Sequence, residues 1–333
     1  MTNNKFKALL VIETKEKEFH REIVTREINE LPEGDVIINV KYSSLNYKDA
    51  LSATGIPGVT RNYPHTPGID AAGIIVESNN SNFTTGDQVF VTGYDLGMNT
   101  SGGYGEYIRV PADWVVKLPE NLSLKESMIY GTAGFTAALS VYKLVNSGVK
   151  PADGDILVTG ATGGVGSIAI SILSKIGYDV IAATGKITEK EMLIGLGAKD
   201  IVDRKELDDL SGRALLKSRW AGAIDTVGGN MLATAIKTTQ YGGSVTCCGN
   251  VASHEFSTSV YPFILRGVSL FGIDSVQCPM DTRLEIWSKL SSEWKPNNLS
   301  ANVDEVSLEG LSKKIDMILE GTHKGRTIVN LDL

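Results

Sequence analysis

A chain of 333 residues, 42% hydrophobic and 21% charged, is long enough for two cores and too apolar for a disordered polymer. Its formal net charge of -7 disfavours a general nucleic-acid surface and leaves room for a local basic pocket. No apolar run approaches the ~20 residues that span a bilayer, the stretch from Ala8 to Ile12 is too short for a secretory signal, and three cysteines make no disulfide framework, so the expected location is cytoplasmic.

The first third reads as β-rich. Val36 to Tyr42 alternates apolar and polar positions, and Gly73 to Val76 and Gln88 to Thr92 are further short strand candidates between Gly and Pro turns. Many short strands of this kind suggest a barrel-like β domain. The character changes near Pro119. Helical patterns begin at Ser123, and from Asp155 strands and helices alternate. Asp155 to Gly160 is a buried-strand run; Val165, Ile168, Ala169, Ile172, Leu173 and Ile176 then share one helix face, with Gly177 as its stop. Asp179 to Ala183 is a second strand and Ile201-Val202 a third. Thr188 and Glu191 have capping-box spacing before Met192. Later strands are Ala223 to Val227 and Ser244 to Cys248. Leu308, Leu311, Ile315, Ile318 and Leu319 form an amphipathic face ended by Gly321, and Arg326 to Asn330 is the last strand. Alternation of this sort builds an α/β fold, a Rossmann-type doubly wound parallel sheet.

The strongest chemical signal is Thr159-Gly160-Ala161-Thr162-Gly163-Gly164-Val165-Gly166, between a buried strand and an amphipathic helix. Glycines there permit a tight turn and let backbone N–H groups approach a pyrophosphate, with the helix N-terminus adding partial positive charge. The spacing departs from strict G-x-G-x-x-G, and a plain tight turn is the blander alternative. An NAD site places an acid ~20 residues on, to hold the ribose 2′-hydroxyl. Here the second strand ends Thr184-Gly185-Lys186 with no acid; Asp179 stands at its other end. Thr184 and Lys186, joined by Arg204 after the third strand, suit a 2′-phosphate and so NADPH; the alternative is a pair of solvated surface charges.

At this point a family resemblance is readable. Ser43 to Asp49, Tyr63-Pro64 with Pro67 to Asp70 and Gly73, Gly131 to Ala137, the 159–166 loop, Trp220 to Val227, Tyr261 to Arg266, Gly272 to Ser275 and Gly325 to Thr327 are together similar to the quinone-oxidoreductase side of the medium-chain dehydrogenase/reductase superfamily. The branch is the YhdH/AcuI-like one that contains acrylyl-CoA reductase. The resemblance covers essentially the whole chain. It implies a GroES-like β-barrel catalytic domain at 1-122, a Rossmann NADPH-binding domain at 123-272 and a return to the first domain at 273-333. It also implies a homodimer. Carried over by motif, Tyr47 lies near the nicotinamide, Thr162, Gly163, Gly164 and Val165 hold the pyrophosphate, and Thr184, Gly185, Lys186 and Arg204 hold the adenosine phosphate. Asn250, Ile264 and Ser275 flank the nicotinamide side, Asn250 being the weakest match, and Arg326 closes the cleft.

Zinc enzymes of the superfamily carry Gly-His-Glu where this chain has Gly68-Ile69-Asp70, and no cysteine precedes Cys247, so no metal is expected. His65 reads as an ordinary loop histidine, Asp70 as structural rather than as a catalytic acid, and Cys247 and Cys248 as inert thiols in a buried strand. The expected reaction is NADPH-dependent reduction of an activated C=C bond, acrylyl-CoA to propanoyl-CoA. Quinone reduction is the enzymatic alternative, and a low-turnover NADPH-binding sensor or structural protein the non-enzymatic one. The partner is thus a small-molecule electron acceptor, with no nucleic acid and no membrane. Arg61 is the candidate contact for a CoA phosphate. Tyr47 is expected to position rather than to protonate, on an extended segment where Lys48 points to the opposite face.

Overall fold

The computed structural model describes residues 4–333. The chain forms two compact units. Unit 1 takes in the chain as far as Thr132, with Val276–Leu284 and Asn302–Leu333; unit 2 comprises Ala133–Ser275 and Glu285–Ala301.

Unit 1 opens with an antiparallel pair, β1 (Lys5–Glu13) and β2 (Phe19–Glu27). There follow β3 (Val36–Ser44), the short helix α1 (Tyr47–Ser52), β4 (Asp70–Ser78), β5 (Gln88–Thr92), β6 (Tyr107–Val110) and β7 (Val116–Lys117). Helix α2 (Leu124–Asn146) is broken at Gly131. β3 is the centre of the unit, bonded to β4 and β6 and to a strand returning from the C-terminus. The expected alternation over Val36 to Tyr42 is therefore only partly kept. Val36, Ile37 and Ile38 are all buried, so the polar half of the alternation starts only at Asn39 and Lys41. Ile38, Val40, Ile75, Val89 and Ile108 pack into one core.

Unit 2 contains β8 (Ile156–Val158), α3 (Gly164–Lys175), β9 (Val180–Thr184), α4 (Lys190–Gly195), β10 (Asp200–Asp203), β11 (Trp220–Asp225), α5 (Gly229–Thr238), β12 (Thr239–Cys247), α6 (Tyr261–Arg266), β13 (Ser269–Gly272) and the later part of α7 (Met280–Leu290). Its six strands are all parallel, in the order β10-β9-β8-β11-β12-β13. The order reverses between β8 and β11, which is where doubly wound sheets open a crevice at the carboxyl ends of their strands. Ile168, Ala169, Ile172 and Leu173 of α3 are buried as expected, and Gly177, at φ +89°, follows the helix end. The expected capping box at Thr188 is not formed. Glu189 N–H bonds Lys186 C=O at 2.9 Å and closes a 3-10 turn over Ile187–Glu189, so Thr188 lies inside that turn and α4 starts at Lys190.

The chain ends in unit 1 with β14 (Val303–Val306), α8 (Leu308–Leu319) and β15 (Arg326–Asn330), which lies against β3. Leu308, Leu311 and Ile315 are buried, whereas Leu319 is exposed, so the apolar stripe is narrower than its sequence suggests. Residues 285–301, inside the return expected at 273-333, belong to unit 2: Trp287 is fully buried there and stacks on Phe135 at 6.1 Å.

Candidate functional site

The loop after β8 is built by glycines and by a polar network beneath it. Gly160 has φ +60°, and a Cβ there would stand 2.2 Å from Thr226 Oγ. Gly163 N–H bonds Gly160 C=O at 2.9 Å and closes the turn. A Cβ on Gly166 would come within 2.4 Å of Gly160 O, so only glycine lets α3 start this close to the strand end. Ser167 N–H, bonded to Gly163 C=O, is the first to donate into α3. The N–H groups of Gly164, Val165 and Gly166 precede that pattern and are the natural donors to an anion. Underneath, Thr159 Oγ donates to Asp225 Oδ1 at 2.8 Å, Asp225 Oδ2 accepts Gly228 N–H at 2.7 Å, and Thr226 Oγ donates to Thr159 C=O at 2.9 Å. Burial pushes the Asp225 carboxyl up, against the pull of the Thr159 hydroxyl and the backbone donors. The network locks the ends of β8 and β11 together at the switch point.

One strand over, the parallel register sets Thr184 at the end of β9 opposite Asp203 at the end of β10. Thr184 is buried, and its Oγ accepts Lys186 N–H at 3.0 Å, turning the chain outward. A Cβ on Gly185 would lie 2.7 Å from Arg204 Nε and 3.0 Å from Cζ, so the guanidinium rests on the bare backbone of Gly185. Asp203 is not a ribose acid: its carboxylate accepts Lys205 N–H at 2.9 Å and caps the turn that carries Arg204. The structure thus brings Thr184, Gly185 and Arg204 together, with Lys186 next in the chain, at the same edge of the sheet as Thr162, Gly163, Gly164 and Val165.

The remaining expected contacts of unit 2 are placed less uniformly. Asn250 is exposed just after β12. Ile264 is 67% exposed on α6, while its neighbour Phe263 packs into the core. Ser275 is buried, with its hydroxyl accepting from Thr136 Oγ at 2.8 Å, which makes it a tie to α2 in this structure rather than an open ligand group. Cys248, half-buried, is pushed up to about 12 chiefly by burial and donates to Asp225 C=O, as an inert thiol does.

In unit 1, Tyr47 is the first residue of α1 and is 41% exposed, so it is not core packing. The segment is helical, not extended as expected; Lys48 therefore lies about 100° round from Tyr47 rather than opposite it. Asp70 is fully buried and its two oxygens take four hydrogen bonds: Oδ2 from Ser44 Oγ (2.6 Å), Asn46 Nδ2 (2.8 Å) and Thr132 N–H (2.9 Å), Oδ1 from Thr132 Oγ (2.6 Å). Gly131, at φ +50°, leaves room for this, since a Cβ would stand 2.5 Å from Asp70 Oδ2 and 2.9 Å from Arg326 Nη2. Arg326, expected to close the cleft, is buried instead. Its guanidinium donates to the carbonyls of Ile129, Leu45 and Met128 and to Asn46 Oδ1, so its donors are spent inside the unit. Asp49 accepts from Gly68, Ile69 and Asn46 N–H; burial and then Asp70 push its carboxyl up to about 7, against those donors. This buried cluster was missed in the sequence, although Asn46-x-x-Asp49 has capping-box spacing that signals it. Arg61 is exposed, with its backbone N–H on Asn99 Oδ1. His65 is buried, and desolvation holds its imidazole below the usual range.

A zinc ion does not fit where the metal enzymes hold one. Ile69 is apolar and buried, and Asp49 and Asp70 are saturated with donors. Among the described residues no group of three or more His, Cys, Asp or Glu is placed to hold a metal.

Residues 32–120 match the alcohol dehydrogenase GroES-like domain and residues 164–291 the zinc-binding dehydrogenase domain. Acrylyl-CoA reductase AcuI of Ruegeria pomeroyi is 42% identical over 92% of each chain. The YhdH oxidoreductase of Salmonella enterica, solved in complex with NADP, is 42% identical with a TM-score of 0.95, covering 98% of this chain and 99% of that one. Bacillus subtilis YhfP, solved with NAD bound, is 49% identical with a TM-score of 0.95 over the same shares.

Proposed function

The chain belongs to the zinc-free medium-chain dehydrogenase/reductase family, in its YhdH/AcuI-like branch, and we propose that it is an NADPH-dependent reductase of an activated C=C bond with acrylyl-CoA as its substrate. The observation that carries the cofactor is the end of β9: no acid follows Thr184, and Arg204 lies on Gly185 beside Lys186. A 2′-phosphate there meets two cations, where an NAD site needs a carboxylate for the 2′-hydroxyl. The N–H groups of Gly164, Val165 and Gly166, with Thr162 and Gly163, would hold the pyrophosphate.

NADPH, when bound, supplies the hydride. The protein's part is to bind, align and exclude. By the family resemblance, Tyr47 would pack beside the nicotinamide and fix its face toward the acceptor, and Asn250 and Ile264 would border that ring. Ser275 and Arg326 are buried ties, each within its own unit. The negative charge that would develop on the thioester oxygen needs a preorganised N–H or hydroxyl donor from the protein. The α-carbon takes its proton from solvent. Arg61, exposed and basic on an acidic protein, is the proposed contact for a CoA phosphate. We also place the protein in the cytoplasm, supported by three free cysteines and by the absence of any helix long and apolar enough to cross a membrane among the described residues.

The test is NADPH oxidation measured side by side with acrylyl-CoA, crotonyl-CoA and several quinones. Acrylyl-CoA is expected to give the highest kcat/KM, and Arg61→Ala to raise KM for the CoA substrate alone. Preference for a quinone would replace the substrate assignment, and NADPH binding without turnover on any acceptor would make the protein a sensor.

A further inference from the structure

Helix α1 is six residues long, too short to hold a direction by its own hydrogen bonds. What holds it is the residue before it. Asn46 Nδ2 donates to Asp70 Oδ2 at 2.8 Å and to Asp49 Oδ2 at 3.2 Å, while Asn46 Oδ1 accepts from Arg326 Nη1 at 3.2 Å. Its backbone is tied as well: Asn46 N–H donates to Asp49 Oδ2 at 2.8 Å, and Arg326 Nη1 holds the preceding carbonyl, Leu45 C=O, at 3.1 Å. One amide thus bridges two buried carboxylates and one buried guanidinium. These come from α1, from the start of β4 and from the start of β15. A buried ionic cluster costs desolvation that an apolar core does not, and it gives in return a geometry with little slack. Here that geometry converges on the residue next to Tyr47, the exposed aromatic side chain at the start of α1.

We infer that Asn46, held by Asp70 and Arg326, is a positioning residue that fixes the first turn of α1 and with it the direction of the Tyr47 ring. The inference rests on the proposed role of Tyr47 beside the nicotinamide. Asn46 itself is buried and acts through its neighbour.

The experiment is a double-mutant cycle of Asn46→Ala with Tyr47→Ala, reading kcat with acrylyl-CoA and NADPH, the Kd for NADPH and the melting temperature. Asn46→Ala in the wild-type background is expected to lower kcat roughly ten- to a hundred-fold, as a misplaced reacting partner does. In the Tyr47→Ala background the same change is expected to cost less than about twofold, because the effect it transmits is already gone. Equal losses in both backgrounds, or no loss in the first, overturn the inference. If Tyr47→Ala alone leaves kcat intact, the reading of Tyr47 has failed, a result distinct from additivity, and the inference falls with it. Should Asn46→Ala not fold, Ser44→Ala removes one 2.6 Å bond to Asp70 and enters the same cycle with the same criteria.

Discussion

Placing a Cβ on Gly185 brings it to 2.7 Å from Arg204 Nε, so the guanidinium can lie where it does only because that side chain is missing. Gly185→Ala is therefore expected to displace Arg204 and to weaken NADPH while sparing NADH. Lys186→Ala removes a charged hydrogen bond of about 1.5–3 kcal/mol, which corresponds to roughly ten- to a hundred-fold in Kd for NADPH, with NADH nearly unchanged. Titration of both cofactors by fluorescence checks the pair of variants, and equal losses for NADPH and NADH would sink the 2′-phosphate assignment. Tyr47 gives a second residue-scale prediction. Tyr47 is read as a group whose ring positions the nicotinamide and whose hydroxyl is not the acid, so Tyr47→Phe should keep most of kcat and Tyr47→Ala should lose far more. A loss of ~10³-fold in Tyr47→Phe with NADPH binding intact would make the hydroxyl the proton donor instead. At this scale the sequence already showed that no acid follows Thr184, and what it could not show is that Arg204 packs on the bare backbone of Gly185. It misled at Arg326, because a lone basic residue in a strand motif does not reveal that four acceptors surround it inside the fold.

Among the elements, α3 was legible and α1 was not, for one physical reason. Three turns of α3 repeat an apolar face often enough to show the helical period, whereas α1 has six residues, one side of which is taken up by a polar cluster. β11 and β12 each begin earlier than their apolar runs suggest, at Trp220 and Thr239, which pair with each other before an irregularity in the register that no sequence pattern announces; the ladder resumes at Gly222 and Ser244. The junction of β8 with α3 carries its own prediction. Gly166→Val puts branched carbon against Gly160 O, where even a Cβ would be 2.4 Å away. The helix must then back off from the strand end, an overpacking cost of about 1–3 kcal/mol. Both the melting temperature and the affinity for NADPH and NADH should fall together, because the pyrophosphate donors serve either cofactor. A variant that melts lower yet binds both normally would show that the loop geometry is not what holds the dinucleotide.

For the whole molecule, the strand order of unit 2 follows from alternating strands and helices, and the glycine loop marks where that order turns. The β unit was harder to read, because β3 takes partners from the far end of the chain, and no local pattern announces that β15 returns to it. The same sheet of unit 2 has two edges, and they are treated differently. β10 is bounded by Asp200 and Asp203, charges that discourage pairing with another chain. β13 reads Ser269-Leu-Phe-Gly272 with no charge, and before it Val260, Tyr261 and Leu265 are exposed on and beside α6. An uncharged edge strand flanked by exposed apolar side chains is a liability in a monomer and an asset in an isologous dimer, where each copy covers the other. We propose that two copies meet there. Light scattering should then give twice 35.8 kDa at micromolar concentration. Leu265→Glu, which adds a charge at a position already exposed in the single chain, should yield a folded monomer by the same measurement, with its circular dichroism unchanged. A dimer that survives this substitution would place the interface elsewhere, and a wild-type monomer would leave the β13 edge unpaired.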